Sequence, residues 1–176
     1  MFKRLFNLLF GQSEAPAATP APPPVAVQEE PVAPGTNIRF HPELIGKLTS
    51  DHQLLLSLFS ETSNAAARGD VAAAAEWLEA FRAALQSHLL TENIRLYVYL
   101  EHLFADDPSS YSLIHEFRHE MDGIGKAVIK FLTKYEDLAT HPEMADAFSR
   151  DLAAVGKVLA KRIGREEGTL FPLYSG

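Results

Sequence analysis

The chain has 176 residues, 47% of them hydrophobic, which is enough to bury one good core but short for two domains. It contains no cysteine, so disulfide frameworks, thiolate metal sites and thiol catalysis are excluded, while the redox compartment stays open. A formal net charge of −7 provides no clustered basic surface for phosphate backbones, so we expect no nucleic-acid partner.

Residues 1–10 form a short amphipathic segment, in which Lys3 and Arg4 lie between apolar residues at helical spacing. The segment is too short to span a bilayer, which needs roughly 20 apolar residues. We therefore expect it to lie on a membrane surface or to dock in the groove of a protein partner. Two alternatives stay open: a secretory signal with Lys3 and Arg4 as its basic region, or a start without any role.

Residues 11–36 are rich in alanine and proline and contain seven of the eleven prolines of the chain. Because proline removes backbone donors and favours extended conformers, this composition predicts a disordered, semi-stiff linker. The predicted organisation is thus an anchor, a tether and a folded domain over residues 37–176. We expect a cytoplasmic protein, held peripherally at the inner face of the membrane or on a partner.

The folded domain shows start and stop signals for four helices and no strand-period segment. The first helix is predicted to open at His41-Pro42-Glu43 and to close near Arg68-Gly69, and Asp70 is placed to cap the second. The second helix should run through Trp77 to about Phe104.

Ser109 or Ser110 is predicted to cap the third helix, and His141-Pro142-Glu143 repeats the opening of the first to start the fourth. Long helices joined by short loops must be antiparallel neighbours. The fold class is therefore all-α, an antiparallel up-down-up-down four-helix bundle.

Polar residues on the apolar seams of these helices are informative, because burying them unpaired costs about 1–3 kcal/mol each. At about 100° per residue, His52 falls on the edge of the first seam, and His88 and Glu92 lie within the second. Glu166 is at the centre of the fourth seam, with Arg162 beside it. Carboxylates and histidines that project inward from facing helices are how bundle cores build iron and manganese sites.

The third helix is predicted to place no histidine on its apolar seam. His115 and His119 have the His-x-x-x-His spacing of a ligand pair, but they fall almost opposite the apolar seam and are predicted to face water. The inward position next to Glu120 is occupied by Met121. If the helix were locally rotated, both histidines would return as ligand candidates.

Three sequence phrases resemble the hemerythrin family, also called the HHE cation-binding family, and together they cover the whole bundle. They are Asp51-His52-x-x-Leu55, His88-x-x-x-Glu92, and Glu166-Glu167-x-x-Leu170-Phe171-Pro172. In the last phrase Arg162 stands where the family has a histidine, and Met121 stands where many members have another.

The resemblance implies a hemerythrin-like fold around a pair of non-haem irons, held by histidines from all four helices and two bridging carboxylates. Members of that family bind or sense oxygen, store iron or repair iron–sulfur centres. Residue by residue, the resemblance to this family implies that the metal ligands are His52, His88, Glu92 and Glu166. This reduced set suits a mononuclear or dinuclear iron site of lowered affinity, or no metal.

Three functions follow as hypotheses. The first is a non-enzymatic domain that binds iron and senses or binds oxygen or redox state, as in bacterial-type signalling. The second is a metal-free interaction or regulatory module in which Arg162 replaces the metal charge between Glu92 and Glu166. A catalytic di-iron enzyme ranks third. Glu167 is predicted to be a surface residue rather than a bridging ligand.

Overall fold

The computed structural model describes residues 31–175. The predicted amphipathic segment, residues 1–10, and residues 11–30 of the predicted linker lie outside the described residues. None of the described helices is long and apolar enough to cross a membrane.

Residues 31–36, which the composition assigns to the linker, instead form part of a turn against the bundle. The Phe40 amide donates to the Pro31 carbonyl at 2.7 Å, and the Ala33 amide donates to the Ile38 carbonyl at 2.8 Å. Gly35 takes a positive φ of 68° at the tip of this turn, a conformation that favours glycine. Ala33 is buried in the core, so the packed part of the chain begins earlier than residue 37.

The described residues form four long helical rods, as predicted. The first rod is α1 (Leu44–Ala67). The second consists of α2 (Val71–Thr91), a π-helical segment (Glu92–Tyr97) and α3 (Val98–Leu103). The third is α4 (Pro108–Lys134). The fourth follows two short 3₁₀ turns and consists of α5 (Ala145–Arg165), a second π-helical segment (Glu166–Leu170) and α6 (Phe171–Ser175).

The connection between α1 and α2 shows why these rods turn back on each other. Gly69 has a positive φ of 73°, and the Asp70 amide donates to the Ala65 carbonyl, which closes the end of α1 in a Schellman motif. The Asp70 carboxylate then accepts from the Ala73 amide and caps α2, as predicted. A three-residue reversal makes the two helices antiparallel neighbours.

The cap of α4 differs from the prediction. Asp107, rather than Ser109 or Ser110, is the capping residue, and its carboxylate accepts from the Ser109 amide. Pro108 occupies the first helical position, where its missing N–H costs nothing because that donor has no intrahelical partner. The helix therefore starts slightly earlier than the serines indicate.

The rods pack in the order expected for an up-down bundle: α1 packs against α2 and α5, while α4 packs against α3 and α5. The apolar core is divided into two clusters, one around Phe81 and Phe148 and the other around Leu96 and Phe117. Along α1, Leu55 belongs to the first cluster and Leu48 to the second. The position between them is His52, so a polar layer separates the two apolar halves.

Both π-helical segments begin at a buried glutamate of this polar layer, Glu92 in the second rod and Glu166 in the fourth. The 100° periodicity predicts uninterrupted α-helix through both places, and that prediction is wrong there. A π turn inserts extra backbone and rotates the residues that follow it, and such turns are frequent at functional sites.

Candidate metal centre

The polar layer brings together His52, His88 and Glu166, all buried. One ring nitrogen from each histidine and one carboxylate oxygen of Glu166 lie within 4.8 Å of one another. The two imidazole centroids are 4.8 Å apart, and His52 Nε2 is 3.1 Å from Glu166 Oε2. These three residues were predicted from separate parts of the sequence to share this interior.

Three different rods supply these groups. His52 projects from the middle of α1, His88 from the last turn of α2, and Glu166 from the first position of the second π segment. Because the rods are antiparallel, residues far apart in sequence reach the same depth in the bundle. His52 is fully buried rather than at the edge of the seam, where the helical wheel places it.

Glu92, the fourth predicted ligand, lies beside the three but is not within the 4.8 Å set. Its nearest approach to His88 is 3.9 Å, between Oε2 and Nε2. The side chain is completely buried, and neither carboxylate oxygen has a hydrogen-bond partner among the described residues. An unpaired buried carboxyl is costly, which is why such groups are rare away from functional sites.

Arg162 lies in the same layer and is almost fully used as a donor. Its guanidinium donates from Nε to the Glu166 carboxylate, from Nη1 to the Phe117 carbonyl and to Glu120, and from Nη2 to the Tyr97 hydroxyl. The Phe117 ring also lies 4.8 Å from its Cζ. Arg162 is therefore a fixed internal cation next to the histidines.

Glu120 connects Arg162 to a second arginine. The Glu120 carboxylate accepts from Arg162 and from Arg165, and the Arg165 guanidinium lies 4.6 Å from the same Phe117 ring. Tyr97, which the helical wheel does not place on the seam, is fully buried and accepts from Arg162. Tyr99, two positions further, is buried as well.

The pKa values of the two buried glutamates are shifted in opposite directions. Burial raises the pKa of Glu92 well above its usual range, and the negative charge of Glu166 adds to this effect. Burial also acts on Glu166, but the close approach of the His52 ring and the charge of Arg162 outweigh it and lower the pKa of Glu166. Of the two carboxyls, Glu92 therefore holds a proton more readily, and Glu166 favours its ionised form.

The two histidines differ as well. Burial lowers the pKa of His88 to about 4, and the nearby His52 adds to this effect, so His88 is neutral at physiological pH. Burial opposes protonation of His52 too, but the carboxylates of Glu166 and Glu167 outweigh it and raise its pKa. A neutral imidazole is the form that donates a lone pair to a metal ion.

Glu167 was expected to be a surface residue rather than a bridging ligand, and it is exposed but also contacts a histidine of the cluster. Its side chain is 41% exposed, yet its Oε1 lies 2.8 Å from His52 Nδ1. The Glu166-Glu167 pair of the sequence was the signal that could have revealed this contact. Glu167 lies inside the second π-helical segment, where the 100° periodicity of the wheel does not apply.

The third rod contributes no histidine to the layer. His115 and His119 are both exposed, as predicted, and His115 packs against the Tyr111 ring. Met121 is buried at the inward position and lines the cavity beside the cluster. The third-rod contributions to the polar layer are therefore Glu120 and the Phe117 carbonyl, both directed to Arg162.

A cavity of about 30 Å³ opens beside the cluster. His52, His88, Arg162 and Glu166 form its polar end, and the remaining lining residues are apolar apart from Gly156. This volume has room for one or two water-sized molecules.

Several buried nitrogen and oxygen atoms of the polar layer lack hydrogen-bond partners and are potential metal ligands. His52 Nε2, His88 Nδ1 and both Glu92 oxygens are buried and accept or donate no hydrogen bond among the described residues. Two imidazoles with carboxylates form a set that suits iron, manganese or zinc. The residues present fit a metal cation, and Arg162 adds a fixed positive charge that is hydrogen-bonded to Glu166.

A buried imidazole and carboxylate cluster inside a four-helix bundle defines a cation-binding helical domain. Comparison with protein families agrees: the hemerythrin HHE cation binding domain matches residues 43–174. The chain therefore belongs to the hemerythrin HHE cation-binding family. Neither the curated proteins nor the solved structures that were compared with the chain gave a match.

Proposed function

We propose that the bundle binds a single non-haem iron ion through His52, His88 and Glu166, with Glu92 as a further ligand, and that it senses or binds oxygen or responds to redox state. The observation that carries this proposal is the meeting of three buried ligand atoms within 4.8 Å. Unpartnered atoms at His52 and Glu92 support it, because they are otherwise unexplained costs to folding. Iron would supply a change of redox state and open coordination positions.

The choice of one ion rather than two rests on Arg162. A guanidinium cannot lose its proton in a protein, and here it already pairs with Glu166, one of the two carboxylates that a dinuclear site would share. A second cation beside it would be repelled by a fixed positive charge in a poorly screened interior. Arg162 therefore supplies the second charge permanently.

The proposed sensing of a small ligand rests on the cavity. It is small and mostly apolar, and it ends at the cluster, so it suits an uncharged molecule of one or two heavy atoms. The binding of such a molecule can be measured by absorption spectroscopy. Iron-loaded protein should show a near-ultraviolet or visible charge-transfer band that changes on reduction, and an unchanged spectrum would contradict the sensing role.

Metal binding itself is tested by titrating chelator-treated protein with iron(II) under anaerobic conditions. His52→Ala and His88→Ala should each abolish or strongly weaken binding, because each removes one of the clustered nitrogens. His115→Ala is the matched control, since His115 is exposed and faces away from the layer. Equal loss in the control, or retained binding in both cluster variants, would refute the assignment.

The alternative function is a metal-free interaction or regulatory module. It is favoured by one specific observation, namely that Arg162 already neutralises Glu166 and satisfies four acceptors. In that case the protein would be colourless, and neither a chelator nor added iron would change its melting temperature. A rise in melting temperature with iron would select the metal site, because a ligand that binds the folded state stabilises it.

We also propose that residues 1–10 attach the bundle to a membrane surface or to a protein partner. The support is the amphipathic pattern of the sequence, with basic Lys3 and Arg4 between apolar residues. Deletion of residues 1–10 should release the protein from membranes or remove a co-purifying partner. Unchanged localisation and unchanged partners would eliminate this role.

A further inference from the structure

His52 is held from both sides by two consecutive residues of the fourth rod. Glu166 Oε2 lies 3.1 Å from Nε2, and Glu167 Oε1 lies 2.8 Å from Nδ1. The ring also stacks on Phe171, with a centroid distance of 5.4 Å and an interplanar angle of 9°. The second π segment and the residue after it thus fix the position of an imidazole that belongs to α1.

The two contacts of this ring differ in kind. The Nδ1 contact with Glu167 has hydrogen-bond geometry, whereas Nε2 forms no hydrogen bond despite its short distance to Glu166. A neutral imidazole that donates from Nδ1 has its lone pair on Nε2. That lone pair would then face the cluster, and a carboxylate on Nδ1 makes it a stronger donor.

His88 has no equivalent support. Its Nδ1 is 3.9 Å from the nearest Asp51 oxygen and has no hydrogen-bond partner among the described residues. Of the two clustered histidines, His52 alone has a carboxylate within hydrogen-bond distance of the ring nitrogen that points away from the cluster. The site is therefore asymmetric, because one imidazole has a carboxylate partner on a ring nitrogen and the other has none within hydrogen-bond distance.

We infer that Glu167 is a positioning residue of the metal site, which fixes the tautomer and orientation of His52 so that Nε2 is available to a cation. This inference rests on the proposed function and adds to it a residue that does not touch the cation. The partly exposed location of Glu167 suits the role, because a carboxyl group that keeps contact with water costs little in desolvation.

The test compares Glu167→Ala and Glu167→Gln in the full-length chain, with zinc(II) as the probe in calorimetric titrations. Removing an outer carboxylate from a ligating histidine typically weakens metal binding about 10- to 100-fold, and we expect this for Glu167→Ala. Glu167→Gln should recover part of the affinity, because its amide oxygen can still accept from Nδ1.

A matched control is available on the surface of the same protein. His141 Nδ1 and Glu143 Oε1 are 2.9 Å apart, a pair of the same type that lies outside the cluster. Glu143→Ala should leave zinc affinity unchanged. A Glu167→Ala affinity within twofold of the wild type would overturn the inference and leave the proposed function intact.

A second measurement does not require metal binding. Nitrogen-15 shifts of the histidine rings in metal-free protein, at a pH where His52 is neutral, should show the Nδ1–H tautomer in the wild type. Glu167→Ala should give a mixture of tautomers or the Nε2–H form. The same tautomer in both proteins would contradict the inference, while a wild type that binds no zinc would instead contradict the proposed function.

Discussion

Arg162 determines the charge balance of the bundle interior. Its guanidinium pairs with Glu166 and with Glu120 and contacts the Tyr97 hydroxyl. Burial disfavours the charged form, but the charge of Glu166 outweighs this and raises the pKa of Arg162. In the polar layer, Arg162 is therefore a permanent buried cation next to the two histidines.

Replacement of Arg162 by histidine should create a further ligand and increase metal binding. We expect Arg162→His to bind iron(II) more tightly or to hold a second ion, because a neutral imidazole removes the repulsion and adds a donor. Arg165→His is the control, since Arg165 shares the Glu120 carboxylate but lies outside the cluster. Unchanged affinity and stoichiometry in Arg162→His would contradict the account.

Glu92 is expected to lower the stability of the metal-free protein and to strengthen metal binding. Its two buried oxygens have no partners, so Glu92→Met should stabilise the metal-free protein by about 1–3 kcal/mol in urea unfolding. The same change should weaken iron binding, because a carboxylate next to His88 is lost. Glu79→Met on the exposed face of α2 should change stability by no more than about 0.5 kcal/mol. A less stable Glu92→Met would show that this carboxyl is satisfied.

At the scale of the elements, the two π segments explain where sequence-based prediction succeeds and where it fails. Up to Glu92 and Glu166 the 100° wheel places the polar residues correctly inside the bundle. Beyond those points it misses the burial of Tyr97 and the contact of Glu167 with His52. The extra backbone of a π turn has no clear sequence signal, because it is stabilised by tertiary contacts rather than by local propensity.

The contact between α1 and α5 depends on a glycine. A Cβ built on Gly156 would lie 2.5 Å from Phe59 Cζ, so the ring occupies the space of a side chain. Both residues line the cavity beside the cluster. Close approach of these two helices therefore sets the width of the cavity as well as the packing.

Gly156→Ala should destabilise the protein by about 1–3 kcal/mol, because the ring must move out of a packed position. Gly164→Ala is the control, since it lies in the same helix with nothing within 4 Å of the added carbon. It should leave stability unchanged or raise it by up to about 1 kcal/mol through helix propensity. Thermal unfolding of both variants measures the difference, and equal melting temperatures would contradict a close packing of Phe59 on Gly156.

At the scale of the whole molecule, periodicity and turn chemistry were sufficient to predict four antiparallel helices. Asp70 caps α2 as predicted, and the third seam, including Phe117 and Met121, is buried as predicted. The boundary of the folded part was harder to predict. Proline-rich composition extends to residue 36, but the turn at residues 31–40 is held by backbone hydrogen bonds, which composition does not report.

In the described residues, 31–175, two apolar clusters lie on either side of one polar layer. We propose that one cation, together with Arg162, satisfies the buried polar groups of that layer. Elemental analysis of protein reconstituted anaerobically with iron(II) and freed of loosely bound metal measures the number of ions. We expect one iron per chain, lost in His52→Ala, whereas no iron or two per chain would rule out a single-ion site.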